Sequence, residues 1–391
     1  MKPIIAVPAT LLLMYRAYSH KSLTPAGVAA AGLTAVAHAI HPWNLPFVLL
    51  SVFFLAGTRV TKIKKNVKAK LTIPSKGTSG GEGPRTHVQV FANSLVASVL
   101  SLLHAYQLHQ RKLAIVKHHT IPSGAFCFSW GGDVLVIGII ANYAAVAADT
   151  FSSELGILAR SQPRLITSPT LRKVPPGTNG GVTILGLFAG LVGSMLIVTA
   201  SMFFIPLCDD NTAGKVGGGI AWTHSQRQVL MVGLTLWGLL GSVLDSVLGA
   251  LFQRSVKDVR SGKIVEGEGG TRVLVSPSEG VGPSSGVEHS KRAEVMATLL
   301  HGEGKDAVEN TDASVVDDEH DDDTDHAKYD PKDKHRKPSF GDEKPSRAVE
   351  SGWDLLDNND VNFLMALTMS LSAMVVAASY WGISPQDVLS P

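Results

Sequence analysis

The chain has 391 residues, of which 45% are hydrophobic and 17% are charged. Cys127 and Cys208 are its only cysteines, too few for the disulfide framework of a small secreted domain, and they leave the compartment open. The formal net charge of +2 hides charged blocks of opposite sign that cancel, so the distribution of charge is more informative than its sum. A nucleic-acid partner is not expected.

Eight apolar segments dominate the chain, and each is long enough to cross a bilayer as a helix. They cover residues 3–19, 23–41, 43–60, 88–107, 130–149, 182–205, 228–251 and 361–382. The first could instead be a cleaved signal peptide, but only Lys2 precedes it, whereas Arg16 and Lys21 lie at its far end, the wrong polarity for such a peptide. The sequence therefore predicts an all-α, polytopic membrane helical bundle of about eight transmembrane helices in contact with the lipid bilayer.

The charged loops predict an orientation. Short loops rich in Lys and Arg stay in the cytoplasm, and the loops after the third, fifth and seventh segments are basic. With eight helices, both termini then lie outside the cytoplasm. Residues 108–129 are an exception, because they fall on the outer side although they contain Arg111, Lys112 and Lys117. An endomembrane such as the endoplasmic reticulum is the expected location.

Three parts are expected along the chain. Residues 1–264 form a membrane bundle of seven helices, and residues 351–391 add the last transmembrane helix. Between them, residues 265–350 are rich in Gly, Ser, Pro and charged residues and cannot bury enough apolar surface to fold alone. This composition predicts a disordered cytoplasmic loop, and the acidic run at 320–326 is interpreted as a solvated stretch rather than a metal site.

Two carboxylates stand near the ends of apolar segments, Asp149 followed by Thr150 and Asp245 followed by Ser246. An ionisable side chain inside a membrane helix is costly and marks a functional site by default. The predicted topology puts both near the cytoplasmic ends of their helices. We therefore expect them to line one polar cavity as catalytic residues and as ligands of Mg²⁺, which prefers one or two carboxylates together with substrate phosphates.

Small and hydroxyl residues surround these carboxylates. Four of them share the helix face of Asp245, namely Gly238, Gly241, Ser242 and Gly249. That face admits either a neighbouring helix or a ligand close to the backbone. Ser153 can share the face of Asp149, whereas Glu154 joins the site only if the helix breaks and otherwise faces water. The candidate substrate-binding residues here are Ser153, Glu154, Ser242 and Ser246.

A glycine-rich turn, Lys-Val-Pro-Pro-Gly-Thr-Asn-Gly-Gly, precedes the sixth segment at residues 173–181. Its glycines let backbone amides turn toward an anion. With Thr178 or Asn179 capping the next helix, the helix N-terminus would favour a phosphate, and Lys173 adds a positive charge. The spacing is not that of a nucleotide-binding P-loop, and an ordinary turn is the alternative. The candidate phosphate-binding residues are Lys173, Gly177, Thr178, Asn179, Gly180 and Gly181.

Several ordered segments resemble the transmembrane-protein-19 family, a domain of unknown function. They are residues 21–27, 53–65, 81–93, 148–156, 173–186, 241–249 and 358–363, so the likeness covers nearly the whole chain except 265–350. The plant plastid branch of that family includes phytyl-phosphate kinase, which converts an isoprenoid monophosphate into its diphosphate. The resemblance implies a magnesium-dependent transferase, a kinase that uses CTP or another nucleotide to phosphorylate a prenyl monophosphate.

This hypothesis assigns roles to the residues above. Asp149 and Asp245 would hold Mg²⁺, while Lys173, acting as a catalytic residue, and the glycine turn would bind phosphates. Arg85 and Lys62 would contribute further positive charge.

Two other functions stay open. Recessed carboxylates, broken helices and a glycine turn also describe transporter sites, here for an anionic or lipid-like solute. A transporter needs polar access from both faces, and the polar groups of this sequence cluster on one, which favours an enzyme. A scaffold whose disordered loop recruits protein partners would explain residues 265–350 but not the carboxylates.

Overall fold

The computed structural model describes residues 2–74, 83–118, 124–267, 270, 273, 347–384, 386 and 388. Within these residues the chain forms nine helices. They are α1 (Pro3–Ser19), α2 (Pro25–Ala39), α3 (Leu45–Lys62), α4 (Lys65–Lys68), α5 (His87–His118), α6 (Val134–Gly156), α7 (Ile184–Phe204), α8 (His224–Phe252) and α9 (Asn358–Trp381). All eight predicted segments are helical, and α4 is one additional turn.

The architecture is that of a polytopic membrane protein, as predicted. Six helices of the described chain have the length and apolar composition to cross a membrane, namely α3, α5, α6, α7, α8 and α9. Helices α1 and α2 are shorter, with 17 and 15 residues. Eight crossings, with both termini on the outer side, therefore stay a prediction.

Helix α6 is the centre of the bundle, because α3, α5, α7, α8 and α9 all pack against it. Every residue from 134 to 148 is buried. Helix α8 approaches α6 closely because it carries glycine at the contact: a β-carbon at Gly238 would lie 2.2 Å from Oγ of Ser194 and 2.9 Å from the backbone of Ala144. The small-residue face of α8 thus packs against neighbouring helices at Gly238 and Gly241 and leaves no room for a ligand there.

Six short strands gather at one end of the bundle, which we call the strand end. They are β1 (Ile73–Pro74), β2 (Arg164–Leu165), β3 (Gly181–Val182), β4 (Ser255–Asp258), β5 (Ile264–Glu266) and β6 (Arg347–Ser351). Four of them form one sheet in the order β1-β5-β4-β6, and β2 pairs with β3. The prediction of disorder from 265 to 350 is wrong at both edges, because β5 and β6 pair with β4. Residues 268–346, apart from 270 and 273, lie outside the described part of the chain.

Side-chain caps set the starts of several helices. Thr24, Thr183 and Asp357 accept hydrogen bonds from amides in the first turns of α2, α7 and α9. The prediction that Thr178 or Asn179 caps the helix after the glycine turn is wrong. Strand β3 intervenes, and α7 begins only after Thr183.

The opposite end, which we call the disulfide end, is fastened by a covalent bond and by aromatic side chains. Cys127 and Cys208 form a disulfide between the α5–α6 and α7–α8 connections. The indole of Trp222 donates a 2.6 Å hydrogen bond to the carbonyl of Phe128, and the rings of the two residues stack on each other. Structural disulfides persist in oxidising compartments. We therefore expect this end to face such a compartment, which agrees with its predicted outer position.

A buried polar network, which the sequence did not predict, lies at the same end. The amide of Trp43 donates to Nδ1 of His41 at 2.9 Å, which leaves Nε2 of His41 to donate to Nδ1 of His104 at 2.8 Å. Nε2 of His104 lies 3.3 Å from Asp133. Burial raises the pKa of Asp133, but hydrogen bonds from His104 and Arg111 outweigh it and lower this pKa to about 2. Because Arg111 pairs with Asp133, a basic residue can be accommodated on the predicted outer side.

The glycine contact between α6 and α8 predicts a difference between two alanine substitutions. Gly238→Ala should lower the free energy of unfolding by about 1–3 kcal/mol, because the added methyl group overpacks the contact. Gly233→Ala is the matched control on the same helix, since no described atom lies within 4 Å of its β-carbon position. Thermal unfolding in detergent compares the two, and equal midpoints would contradict the packing.

The disulfide predicts how the cysteines react. In the unfolded but unreduced chain, a polyethylene-glycol maleimide should label no cysteine, and after reduction it should label both. Cys127→Ser should free Cys208 for labelling and lower the free energy of unfolding by roughly 2–4 kcal/mol. Labelling of the wild-type chain without a reductant would rule out the bond, and Cys127→Ser with Cys208→Ser controls for other reactive groups.

Candidate functional site

Asp149 of α6 and Asp245 of α8 meet near the strand end. Their carboxyl groups lie within hydrogen-bonding reach of each other. Oδ2 of Asp245 is shielded from solvent and has no hydrogen-bond partner among the described residues. A buried carboxylate oxygen without a donor is costly, so this pair is suited to share a proton or a cation.

Asn142 extends the polar site toward the middle of the bundle. It lies seven residues before Asp149 and therefore on nearly the same face of α6. Its Nδ2 donates to the carbonyl of Asn93 on α5 at 3.0 Å, and its Oδ1 lies 3.4 Å from the hydroxyl of Ser370 on α9. Three helices thus meet at one buried amide. The sequence analysis missed Asn142, although its spacing from Asp149 could have revealed it.

Arg85 is the basic residue that reaches the α3 side of the site. Backbone hydrogen bonds to residues 22–24, at the start of α2, hold it in place. Its Nη2 donates to the hydroxyl of Thr61 at 3.1 Å. A β-carbon at Gly57 would lie 3.5 Å from Nη1 of Arg85 and 3.8 Å from Cγ2 of Thr150. The guanidinium and Thr150, the neighbour of the first carboxylate, therefore both approach Gly57.

An ion pair between Lys68 and Glu154 lies on the same α3 side of the site. Nζ of Lys68 contacts the carboxylate of Glu154 and donates to the carbonyl of Thr61 at 2.7 Å. Both side chains are only 12% exposed. Lys62, the predicted member of this basic run, is exposed instead, because the extra turn α4 brings Lys68 back to the bundle. Helix α6 stays regular through Glu154, so the expected helix break is absent, and its carboxylate pairs with Lys68 instead of facing water.

The glycine turn lies between α8 and the sheet. At Gly180 φ is +74°, and a β-carbon there would lie 2.3 Å from that of Ala250 and 2.7 Å from the carbonyl oxygen of Ser246. At Gly177 φ is +88°, and a β-carbon would lie 2.7 Å from Cγ2 of Thr72. Glycine is required at both positions by conformation and by space.

The amides of this turn are largely engaged within the protein. Those of Thr178 and Gly181 donate to carbonyls of the turn itself, and that of Asn179 donates to the hydroxyl of Ser255 at 2.9 Å. The side chain of Lys173 is exposed. Phosphate binding by the turn therefore stays a prediction, and it would rely on Lys173 more than on the backbone.

The other predicted hydroxyls have different surroundings. Ser153 is exposed and donates to the carbonyl of Asp149 at 3.0 Å. Ser246 donates to the carbonyl of Ser242 at 3.0 Å, and Ser242 is itself buried. Ser153 is therefore the most accessible of the three, Ser246 is half-buried and Ser242 is buried.

The donor set decides which metal the site could hold. The described residues contain no group of three or more His, Cys, Asp or Glu side chains that could bind a metal ion. Zinc sites need such a group, whereas Mg²⁺ is held by one or two carboxylates with phosphates and water. The pair of Asp149 and Asp245, with the unpartnered Oδ2, fits the second pattern.

The comparisons with known proteins identify the family. A family model described as integral membrane protein DUF92 matches residues 8–370, so the chain belongs to this family, and the family resemblance of the sequence is confirmed. Protein PGR of Arabidopsis thaliana is 35% identical over 254 residues, 64% of this chain and 79% of the relative. No solved structure matches the chain.

Two further relatives are more distant. An uncharacterized membrane protein of Methanocaldococcus jannaschii is 31% identical over 207 residues, 53% of this chain and 65% of the relative. The protein named VTE6, chloroplastic, of Arabidopsis thaliana is 28% identical over 181 residues, 46% of this chain and 47% of the relative. A multi-pass membrane protein is thereby supported, whereas the expected endoplasmic-reticulum location has no support from these relatives.

The ion pair at the strand end predicts a coupling energy. Glu154→Gln should lower the free energy of unfolding by about 1–3 kcal/mol, because it leaves the largely buried side chain of Lys68 without its carboxylate. Adding Lys68→Met should recover part of this loss, since no unpaired charge is left. Lys62→Met, in the same basic run, is the control and should be neutral. Thermal unfolding of the wild type, Glu154→Gln, Lys68→Met and the double variant measures the cycle, and strictly additive effects would contradict the contact.

Proposed function

We propose that this chain transfers a phosphoryl group from a nucleotide, with CTP as the first candidate, to a prenyl monophosphate and so makes a prenyl diphosphate. The observation that carries the proposal is the contact between Asp149 and Asp245, in which one buried oxygen has no hydrogen-bond partner among the described residues. The family supports it too, because its plant plastid branch includes phytyl-phosphate kinase and a chloroplastic relative is 28% identical to this chain.

The proposed reaction needs little covalent help from the protein. A phosphate oxygen of the acceptor attacks the γ-phosphorus of the nucleotide, a new P–O–P linkage forms, and the bond from the γ-phosphorus to its β-bridging oxygen breaks to release the nucleoside diphosphate. Such a transfer depends on positioning and on neutralising negative charge. Mg²⁺ held by Asp149 and Asp245 would supply that neutralisation when bound.

Arg85 is the strongest candidate for binding a phosphate directly. Its guanidinium has five N–H donors in a planar fork that suits phosphate oxygens, and the bond to Thr61 uses one of them. The exposed Lys173 and the turn from 177 to 181 are the proposed second phosphate contact. The exposed Lys62 would act at longer range, as positive charge that attracts the nucleotide.

Transport of an anionic or lipid-like solute is the second candidate, and one observation favours it. The expectation that buried polar groups cluster at one end is wrong, because His38 and Tyr143 pair at 2.7 Å in the core and the network at Asp133 lies beyond them. Together with Asn142 and Asp149, these residues place polar groups at several levels of the bundle, although on different faces of α6. Polar groups at several depths are typical of transporters as well as of structural networks.

Phosphate transfer by the purified protein tests the first candidate. Labelled CTP, and ATP in parallel, is supplied with Mg²⁺ and with phytyl, farnesyl or geranylgeranyl monophosphate in detergent. We expect diphosphate formation that falls at least about a hundredfold in Asp149→Asn and in Asp245→Asn, a loss of about 2.7 kcal/mol of transition-state stabilisation. Asp210→Asn, an exposed carboxylate at the disulfide end, is the control and should keep full activity.

The outcomes separate the two candidates. Full activity in both folded Asn variants would contradict the carboxylate assignment. No transfer by folded wild-type protein with any acceptor would reject the kinase, and uptake of the same phosphates into proteoliposomes would then test transport.

A further inference from the structure

The lipid-facing side of α8 has a length that matches a membrane. Exposed apolar side chains follow this side at helical spacing, at Val229, Val232, Leu236, Leu240 and Leu251. From the first to the last of them the helix rises about 33 Å, at about 1.5 Å per residue, and the hydrocarbon core of a bilayer is about 30 Å thick. Leu251 therefore marks the membrane boundary at the strand end.

The segment between β6 and α9 lies directly on this boundary. The amide of Trp353 donates to the carbonyl of Leu251 at 2.9 Å, and that of Leu355 donates to the last carbonyl of α8 at 3.1 Å. Trp353 is 69% exposed and Leu355 is 55% exposed. The intervening Asp354 pairs with Arg254 at 3.1 Å. The segment is thus tied to the end of α8 by three contacts while two large apolar side chains are left uncovered by the rest of the described chain.

We propose that Trp353 and Leu355 form an interfacial anchor that inserts between the headgroups and the acyl chains of the membrane. The occupant is lipid because the two side chains continue the lipid-facing stripe of α8 at the level where that stripe ends. Tryptophan suits this depth, since its ring is apolar and its N–H can bond at the polar boundary. The ion pair of Asp354 with Arg254 keeps the carboxylate between the two anchor residues away from the acyl chains.

The anchor has a consequence for the site. Strand β6 ends two residues before Trp353, so the anchor holds the sheet at the membrane surface. Asp245 lies six residues before Leu251 and therefore about 9 Å inside the boundary. The carboxylate pair is thus recessed below the headgroups at a depth that the anchor fixes.

Spin labelling of the full-length protein in vesicles of phosphatidylcholine and phosphatidylglycerol tests the anchor. Both native cysteines are in the disulfide, so labels attach to introduced ones in Trp353→Cys and Leu355→Cys. Leu240→Cys and Leu251→Cys provide depth references on α8, and Arg260→Cys provides a reference on the turn between β4 and β5. Power saturation with oxygen and with a nickel chelate then measures depth.

The labels at 353 and 355 should lie at about the depth of the label at 251, shallower than the label at 240, and should be several-fold less accessible to the nickel chelate than the label at 260. Equal accessibility to nickel at 353, 355 and 260 would overturn the anchor, because the segment would face water. Protection from both reagents would also overturn it: spectral broadening that grows with the protein-to-lipid ratio would assign the patch to a second copy, and no broadening would assign it to another protein surface. Two labelled positions guard against the failure of one variant to fold.

Discussion

The meeting of Asp149 with Asp245 depends on how closely two helices approach. Helices α6 and α8 run in the same direction, and their closest contact places Gly241 against Ala145, where a β-carbon on the glycine would lie only 2.5 Å from that of the alanine. The two carboxylates follow this contact by four residues on both helices, which is one helical turn. A larger side chain at the contact would separate the helices, and the two carboxyl groups would then also move apart. Small residues at the contact are therefore part of the site.

The two ends of the bundle treat polar groups differently. At the disulfide end, His41 bonds to His104, and the carboxylate of Asp133 is paired with Arg111, so opposite charges meet there, although Nε of Arg111 has no hydrogen-bond partner among the described residues. At the strand end, two carboxyl groups contact each other, and Oδ2 of Asp245 has no hydrogen-bond partner among the described residues. Two like charges in contact are where a cation gains most by binding. This difference in charge between the two ends supports the proposal of a ligand site at the strand end.

The sequence predicted the features that depend on composition. It did not predict the features that depend on contacts between distant parts of the chain. Apolar runs of membrane length revealed the helices, and the cost of a buried charge singled out Asp149 and Asp245. Strands of two to five residues have no usable periodicity, so the sheet was missed. Lys62 was preferred to Lys68 because a basic run does not reveal which member a later turn brings inward. The pairing of distant cysteines is likewise a property of the folded chain.

The residues around the carboxylate pair limit how its negative charge can be neutralised. Two adjacent carboxylates in a site of low dielectric repel each other unless positive charge or a proton intervenes. Lys68 is committed to Glu154 and to the end of α3, and the contact of Arg85 runs to Thr61. Neither cation bonds to the carboxylate pair among the contacts of the described chain, so its neutralisation has to come from a bound cation or a shared proton. A divalent cation would also attract phosphates, and Nη1 of Arg85 and Cγ2 of Thr150 both approach Gly57, which supports the proposed phosphate chemistry.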